Sequence, residues 1–400
     1  MNDESVSRIL TINSGSSSIK FALYHMGKAE TAVLSGSLVG IGFGSVLFHI
    51  KDADGRTMVE KPLPSQDHSA ALKGLIEWLR NTAWHFDTVG HRLVHGGSSF
   101  SRPHLITPEL MRVIEELIPL APDHLPHEIN AIKVFQRSFP DVKQVACFDT
   151  AFHRNMPKVA QIYALSSDLV TEGVLRYGFH GLSYEYILGK LGREDGGKAS
   201  KGRVIIAHLG NGASMAALKG GVSMDTTMGF SPAGGLVMST RSGDLDPGVI
   251  LYLLKEKKLG FSAVNRMVNK EGGLLGVSGM SPSVKDLLDA EGENPHAAQA
   301  VELFCYHARK FLGALATVLG GLDTLIFTGG IGENAPSIRR RTCENTEFLG
   351  IHLDTDQNDA NAPIISRDGS AVTVRVMKTN EESMIARHTW GLLQKESATP

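Results

Sequence analysis

The sequence predicts an α/β protein built by internal duplication, and three observations carry that reading. Residues 204–218, VIIAHLGNGASMAAL, pass from an apolar run through the turn Gly210-Asn211-Gly212 into a second apolar run. That is the pattern of strand, tight turn, strand. Residues 9–23, ILTINSGSSSIKFAL, repeat it, and a shift of 195 residues lays Gly15 on Gly210 and Leu23 on Leu218. Residues 325–336, LIFTGGIGENAP, form a third apolar run that ends in glycines. Turns of this kind bring backbone N–H groups close to an anion. Strand-rich stretches alternate with helical ones, which argues for α/β layers and a repeated unit.

Four hundred residues exceed one typical domain of roughly 100–200 residues, so two are expected. With 42% hydrophobic and 20% charged residues the composition is that of an ordinary globular chain. The 43 glycines are many, against a norm of roughly 7%. The net charge of −2 supplies no basic field for nucleic acid or an anionic membrane. Cys147, Cys305 and Cys343 lie far apart, with no metal or redox spacing. A reducing cytoplasm is therefore expected, and residues 1–8, MNDESVSR, contain no apolar signal core. The most apolar long run, 311–327, is broken by Gly320, Gly321 and Asp323, and so reads as a buried helix and strand rather than a membrane span.

In chain order, 8–24 reads as a hairpin and 32–59 as further strands with turns at Gly40, Gly42 and Gly44. Ala70, Leu72, Leu75, Ile76 and Leu79 give 66–80 a helical period. A strand over 88–97 runs into Gly96-Gly97. Thr107 caps and Pro108 opens a helix to about Leu117. The Pro-rich 121–127 reads as a loop, 128–139 as helix and 142–152 as a buried strand containing Asp149. A boundary follows near 150–160. Helix continues from 183 to about 191, and 193–202 is a solvated loop. After the second hairpin, 231–248 is a long Gly- and Ser-rich loop. Helical patterns occupy 249–257, 262–269, 283–289 and 295–319. A strand at 324–327, a short helix at 336–343, a strand at 372–376 and a tail helix at 380–393 complete the chain.

Several motifs carry chemistry or imitate it. Residues 192–199, GREDGGKA, approach a GxxxxGK[ST] phosphate loop but end on Ala199, which has no hydroxyl for Mg²⁺. Residues 330–335, GIGENA, fit GxGxxG/A with Asp354 further on, the pattern of a dinucleotide site. Only 65 residues follow Ala335, too few for a classical Rossmann domain, yet the turn still suits a phosphate or nucleoside. His91 and His95 are spaced like a metal pair but lack a third ligand. Arg92 and Arg241 are cations beside glycine turns, suited to stabilising a transferring phosphoryl group. Arg241 alternatively pairs with Asp244 or Asp246. Asp149 ends an apolar strand, either as a functional carboxylate or as a cap for the next segment. His180, in a Gly-Phe-His-Gly turn, is either structural or a donor to a phosphoryl oxygen. Cys147 is a small core residue.

The motifs, in order, are NSGSSSIK (13–20), HRLVHGG (91–97), FDTAFH (148–153), RYGFHG (176–181), HLGNGAS (208–214), TRSGDLDPG (240–248), GGIGEN (329–334) and TNEE (379–382). As a set the sequence resembles the acetate kinase (acetokinase) family over nearly its whole length. The resemblance implies the actin/Hsp70/hexokinase-type (ASKHA) fold, two domains with duplicated ribonuclease-H-like cores and a cleft between them. Residues 1–155 would form the first domain, with a tail helix at about 383–400 packed back on it, and 156–382 the nucleotide-binding domain. The implied reaction is reversible transfer of the ATP γ-phosphoryl group to acetate, or to propionate, with Mg²⁺ or Mn²⁺. A non-catalytic nucleotide-binding regulator on the same fold is the alternative.

The resemblance also implies roles. Asp149, Arg92, His180 and Arg241 would be catalytic, and Arg92, Val94, Phe179 and Pro232 would bind the carboxylate substrate. Asn13 and Glu381 would hold the metal. ATP would meet Ser16, Ser18 and Lys20, then His208, Leu209, Gly210, Asn211, Gly212 and Ser214. It would also meet Ser283, Val284 and Lys285, and then Gly330, Ile331, Gly332, Glu333 and Asn334. A carboxylate is already nucleophilic at neutral pH, so Asp149 is expected to orient Arg92 or Mg²⁺ rather than act as a base. A cytoplasmic homodimer is implied, with no nucleic-acid or membrane partner. This sequence departs from the family pattern at Ser283 and Lys285, at Asp123 within PLAPDHLPH, and at Leu182-Ser183-Tyr184, where Thr-Ser-His is usual.

Overall fold

The structure, a computed structural model, describes residues 6–15, 17–42, 44–63, 67–194 and 196–397. It divides into two compact units, Met1–Ala151 with Asn380–Pro400, and Phe152–Thr379. The division at 379/380, rather than 382/383, assigns Glu381 to the first unit. Of the expected helices at 66–80 and 383–400, Gln66 and residues 398–400 lie outside the described residues.

The first unit is an eight-stranded sheet. Its strands are β1 (Ser7–Ser14), β2 (Ser18–Met26), β3 (Glu30–Val39), β4 (Val46–Asp52), β5 (Thr57–Leu63), β6 (Thr88–Leu93), β7 (His104–Leu105) and β8 (Lys143–Phe148). They lie in the order β5-β4-β3-β2-β1-β6-β8-β7. β1 to β5 are joined as antiparallel neighbours, whereas β1, β6 and β8 run parallel. The two-residue period of a strand sends alternate side chains to opposite faces. Leu10, Ile12, Phe21 and Leu23 therefore pack with Leu72, Leu75 and Phe135 of helices His68–Arg80 and Leu125–Ser138. Ile9, Ala22, Tyr24 and Met26 face the other way, onto Ala386 of helix Glu381–Ser397.

The second unit repeats this frame. Its strands are β9 (Arg203–Leu209), β10 (Ala213–Lys219), β11 (Val222–Thr226), β12 (Thr324–Thr328) and β13 (Thr373–Val376), in the order β11-β10-β9-β12-β13. β9, β10 and β11 are antiparallel, and β9, β12 and β13 parallel. The same pattern joins β3, β2, β1, β6 and β8, so the duplication read from the two hairpins extends to the whole sheet core. Tyr184, Ile187 and Leu191 of helix Gly181–Glu194 cover one face of it, against Val204, Ile206, Ala216 and Ile326. Helix Pro295–Leu319 has the bounds its apolar period predicts; Asn294 caps its start and the left-handed Gly320 ends it.

Several local expectations are corrected. Helix Leu125–Ser138 begins inside the predicted loop 121–127, because Pro126 sits in its first turn, where no backbone donor is needed. Helix Gly181–Glu194 runs into the predicted loop at 193–202, and Ala199–Lys201 adds a 3-10 turn. The glycine stretch after β12 is itself a short helix, Gly329–Asn334. One further parallel strand, β13, follows it, so the dinucleotide reading lacks its sheet. Helix Gly273–Ser278 escaped the sequence reading because glycine and serine obscure its period. Among the described residues no helix is long and apolar enough to cross a membrane.

The tail helix constrains β6. A Cβ at Gly90 would collide with Thr389 Oγ1 and lie 2.6 Å from Ile385 Cγ2. Gly90→Ala is therefore expected to destabilise the first unit by about 1–3 kcal/mol through overpacking, measured by urea unfolding. Gly313, in helix Pro295–Leu319, has nothing within 4 Å of its Cβ position. Gly313→Ala should leave stability unchanged or raise it by up to about 1 kcal/mol.

Candidate active site

In the first unit the candidates gather at the carboxyl ends of three adjacent parallel strands, where open α/β sheets place ligands. Asn13 is near the end of β1, Arg92 near the end of β6, and Asp149 directly follows β8. Arg92 donates from Nε and Nη2 to Asp149 Oδ2, at 3.1 and 2.5 Å, and from Nη1 to Asn13 Oδ1 at 3.1 Å. The Asn13 amide donates in turn to Glu381 Oε2 at 2.8 Å and to Glu382 Oε1 at 3.2 Å. Asp149 is fully buried and the Arg92 side chain is 12% exposed. Burial opposes the charge on Arg92, but Asp149 and then Glu381 outweigh it and hold the pKa above its ordinary value. Asp149 is thus the buried partner of Arg92.

Two further carboxyls, both missed in the sequence, belong to this set. Glu128 is buried, and its Oε2 accepts from Val94 N at 3.0 Å. Burial pushes its pKa up to about 8, only partly opposed by Arg92, so at pH 7 it carries a proton. Glu382 is shifted upward by burial and then by Glu381. Val94, expected at the substrate, is thus held by a neutral acid. The one signal for Glu128 in the sequence is a charged residue at an apolar helix period. Lys20 lies across the hairpin from Asn13 and is exposed, and Gly15 N donates to Ser18 O at 2.8 Å to close the turn. Ser16 lies outside the described residues.

His91 and His95 have different partners. His91 Nε2 meets Gln144 Oε1 at 2.7 Å, and burial lowers its pKa to about 4. His95 Nδ1 accepts from Gly97 N at 2.9 Å. Among the described residues no three His, Cys, Asp or Glu side chains form a closed metal cage.

The second unit arranges donors around the tip of the β9–β10 hairpin. His180 has φ +60, a left-handed backbone held between Phe179 and Gly181. Its Nδ1 meets Ser214 Oγ at 2.8 Å, and its ring stacks on His208 with centroids 4.4 Å apart. Arg241 Nη1 donates to Pro232 O at 3.2 Å and contacts Met238 Sδ. Asp244 instead accepts from Gly235 N and Asp246 caps helix Pro247–Lys255, so the expected pairing of Arg241 with these carboxylates is replaced by other bonds. A Cβ at Gly212 would lie 3.3 Å from His180 Nε2 and 3.4 Å from Arg241 Nη1. The missing side chain leaves open the place where two side-chain nitrogens converge. At Gly210 the same test meets His208 Nε2 at 3.9 Å and Gly330 N at 4.0 Å. Leu209 is buried beneath the tip and Asn211 exposed on it.

The loop carrying Arg241 is braced from below by helix Gly273–Ser278. Leu274 N donates to Met238 O at 2.8 Å and Leu275 N to Ser239 O at 3.0 Å. Gly273, at φ +60, admits no side chain, since a Cβ would run into Met238 O and lie 2.6 Å from Arg241 O. The glycine helix after β12 is braced too. Glu333 Oε1 accepts from Gly329 N and Thr379 N, and Asn334 donates to Gly330 O. Arg339, fully buried, donates to Gly332 O and Glu333 O and to Asn358 and Asn361. Ile331 and Gly332 lie within this braced turn. Phe179 is buried, and its carbonyl contacts His153 Nε2. Ser283 caps the helix that starts at Val284, and Lys285 pairs with Asp289 on its exposed face. These bonds stay within that segment.

A family model described as the acetokinase family matches residues 8–387. The chain belongs to the acetokinase family. It is 46% identical over 392 residues to an acetate kinase of Rhodopseudomonas palustris strain TIE-1, covering 96% of this chain and 98% of that protein. It is similar to the crystal structure of Porphyromonas gingivalis acetate kinase, with TM-score 0.85 and 38% identity over 97% of this chain and 100% of that one. A propionate kinase from Francisella tularensis superposes with TM-score 0.88 at 35% identity over 96% and 98% of the two chains. With these neighbours the fold of the acetokinase chain is the ASKHA type.

The buried Glu128 gives this acetokinase a pH signature. Its folded pKa, about 8, lies above the unfolded value of about 4.3. Its contribution to stability is therefore full below the unfolded value and is lost as pH rises through about 8. Glu128→Gln removes the titration. Relative to the unsubstituted chain it should gain stability between pH 5 and 8, by up to about 1.4 kcal/mol per pH unit. Urea midpoints at several pH values measure this.

Proposed function

We propose that this acetokinase transfers the γ-phosphoryl group of ATP to acetate, giving acetyl phosphate and ADP. The observation that carries the reading is the convergence of His180 Nε2 and Arg241 Nη1 on the open space at Gly212, together with the buried Arg92–Asp149 pair. Neither set contains an activated nucleophile, and none is needed. One oxygen of the acetate carboxylate forms the new bond to phosphorus while the bond to the ADP oxygen breaks. Catalysis then rests on positioning and on charge.

Arg92 attracts the carboxylate, and Asp149 holds the guanidinium in place. Val94, Phe179 and Pro232 supply the apolar contacts for the acyl methyl. His180 and Arg241 donate to the phosphoryl oxygens as charge redistributes over them. Lys20, Ser16 and Ser18 on one hairpin, and His208–Ser214 on the other, meet the ATP phosphates. Ser283–Lys285 and Gly330–Asn334 approach the nucleoside. Asn13 and Glu381 offer hard oxygens in an acidic setting without a closed cage, which suits Mg²⁺ with its retained waters and phosphate ligands. When bound, Mg²⁺ supplies neutralisation of phosphate charge.

Propionate is the second substrate to test, given the propionate kinase neighbour. We also infer a homodimer. Helix Pro247–Lys255 exposes Val249, Leu251, Tyr252 and Leu254, and the adjoining helix Phe261–Asn269 exposes Phe261 and Met267. Such an apolar patch suits a second copy of the chain. Light scattering that gives the mass of one chain would remove the dimer. A cytoplasmic location accompanies this reading.

Purified protein with ATP, Mg²⁺ and hydroxylamine should give a hydroxamate with acetate, and the same assay ranks propionate and butyrate. Absence of product with all three overturns the function. Arg241→Ala should lower kcat by about 10³ or more while circular dichroism stays unchanged. Undiminished turnover would remove Arg241 from the mechanism.

A further inference from the structure

Tyr184 stands where the family pattern has histidine, and it is fully buried on helix Gly181–Glu194. Its hydroxyl makes a short hydrogen bond to Ser214 Oγ, itself buried on β10. The same Oγ meets His180 Nδ1 at 2.8 Å. Tyr184, Ser214 and His180 thus form a continuous relay from a phenol to an imidazole. A second relay runs beside it, from Thr379 Oγ1 through Ser183 Oγ at 2.9 Å to His208 Nδ1 at 2.8 Å. The two imidazoles that end these relays are the stacked pair.

We propose that Tyr184 is a positioning residue that, through Ser214, keeps the proton of neutral His180 on Nε2. Acid and base strengths set the direction of the relay. A phenol is a stronger donor than an aliphatic hydroxyl, and the imidazole nitrogen lone pair is the strongest acceptor of the three relay groups. Tyr184 O–H therefore donates to Ser214 Oγ, and Ser214 O–H donates to His180 Nδ1. Each bond polarises the next. The remaining ring proton then sits on Nε2, the atom 3.3 Å from the Cβ position of Gly212 and beside Arg241 Nη1. A hydrogen there donates to an anion, whereas the other tautomer turns a lone pair toward it. Without the phenol, Ser214 can accept from Nδ1–H as well as donate, and the tautomers mix.

The tautomer claim stands on this geometry alone, and its consequence for rate rests on the kinase reading. The two are separated by experiment. In the full chain labelled with ¹⁵N-histidine, long-range ¹H–¹⁵N spectra should show His180 protonated on Nε2. Its signal is assigned by its loss in His180→Asn. Tyr184→Phe keeps the ring volume and should shift His180 toward Nδ1–H. It should also lower kcat for hydroxamate formation by about 10-fold or more, with KM for ATP changed less than twofold. An Nδ1–H tautomer in the unsubstituted chain, or an unchanged tautomer in a folded Tyr184→Phe, overturns the proposal. If Tyr184→Phe does not fold, Ser214→Ala breaks the same relay and is read by the His180 tautomer alone. A chain without kinase activity but with the expected tautomer and shift would overturn the kinase reading and leave this one standing.

Discussion

The buried ion pair of Arg92 and Asp149 sets the terms for the first unit. A charge out of water is costly unless it is matched, and removing one partner leaves the other stranded. The match here depends on parallel pairing of β6 with β8, which sets Arg92 beside Cys147 and brings Asp149, two residues on, within reach. It depends as well on the tail helix. Glu381 and Glu382 come from the far end of the chain to the Asn13 amide, which bridges them to the guanidinium. Tyr24 O–H donates to Asn380 Oδ1, and Asn380 caps Ser383 N, so the start of that helix is tied to the sheet. One cation thus organises residues from both termini, and Glu128 stays protonated because a further negative charge in the same dry region would be expensive.

The two sheet cores are alike in pairing and opposite in chemistry. At the end of β1 the first unit collects carboxylates around a single arginine. At the end of β9 the second collects donors, with His180, His208 and Arg241 around an open glycine tip. The duplicated frame thus carries two different sets of polar side chains on one strand pattern. The β1–β2 and β9–β10 hairpins retain the common geometry, which is why both copies were visible as a repeat.

Two segments of the second unit brace the loops that carry these side chains. Gly273 lets helix Gly273–Ser278 bond to the carbonyls of Met238 and Ser239, just before Arg241. Arg339, fully buried, ties the glycine helix to Asn358 and Asn361. Burial lowers its pKa to about 10, yet it remains charged at neutral pH.

The sequence by itself determined the α/β class, the duplicated hairpins, most helix bounds and the residues that carry charge at glycine turns. Those features are local: apolar period, capping residues and turn chemistry act over a few positions. Helix Pro295–Leu319 was legible because Asn294 and Gly320 mark its ends. Only the tertiary structure decided that Asp149 meets Arg92, that Arg241 bonds to Pro232 O, that Glu128 accepts from Val94 N and that Tyr184 meets Ser214. A strand pattern names the residues that are buried but not their neighbours in the sheet. A glutamate or a tyrosine at an apolar period reads the same whether it holds Val94, relays to His180 or snorkels to water. Those choices follow from desolvation and from partners remote in sequence, which exist only once the sheets have formed.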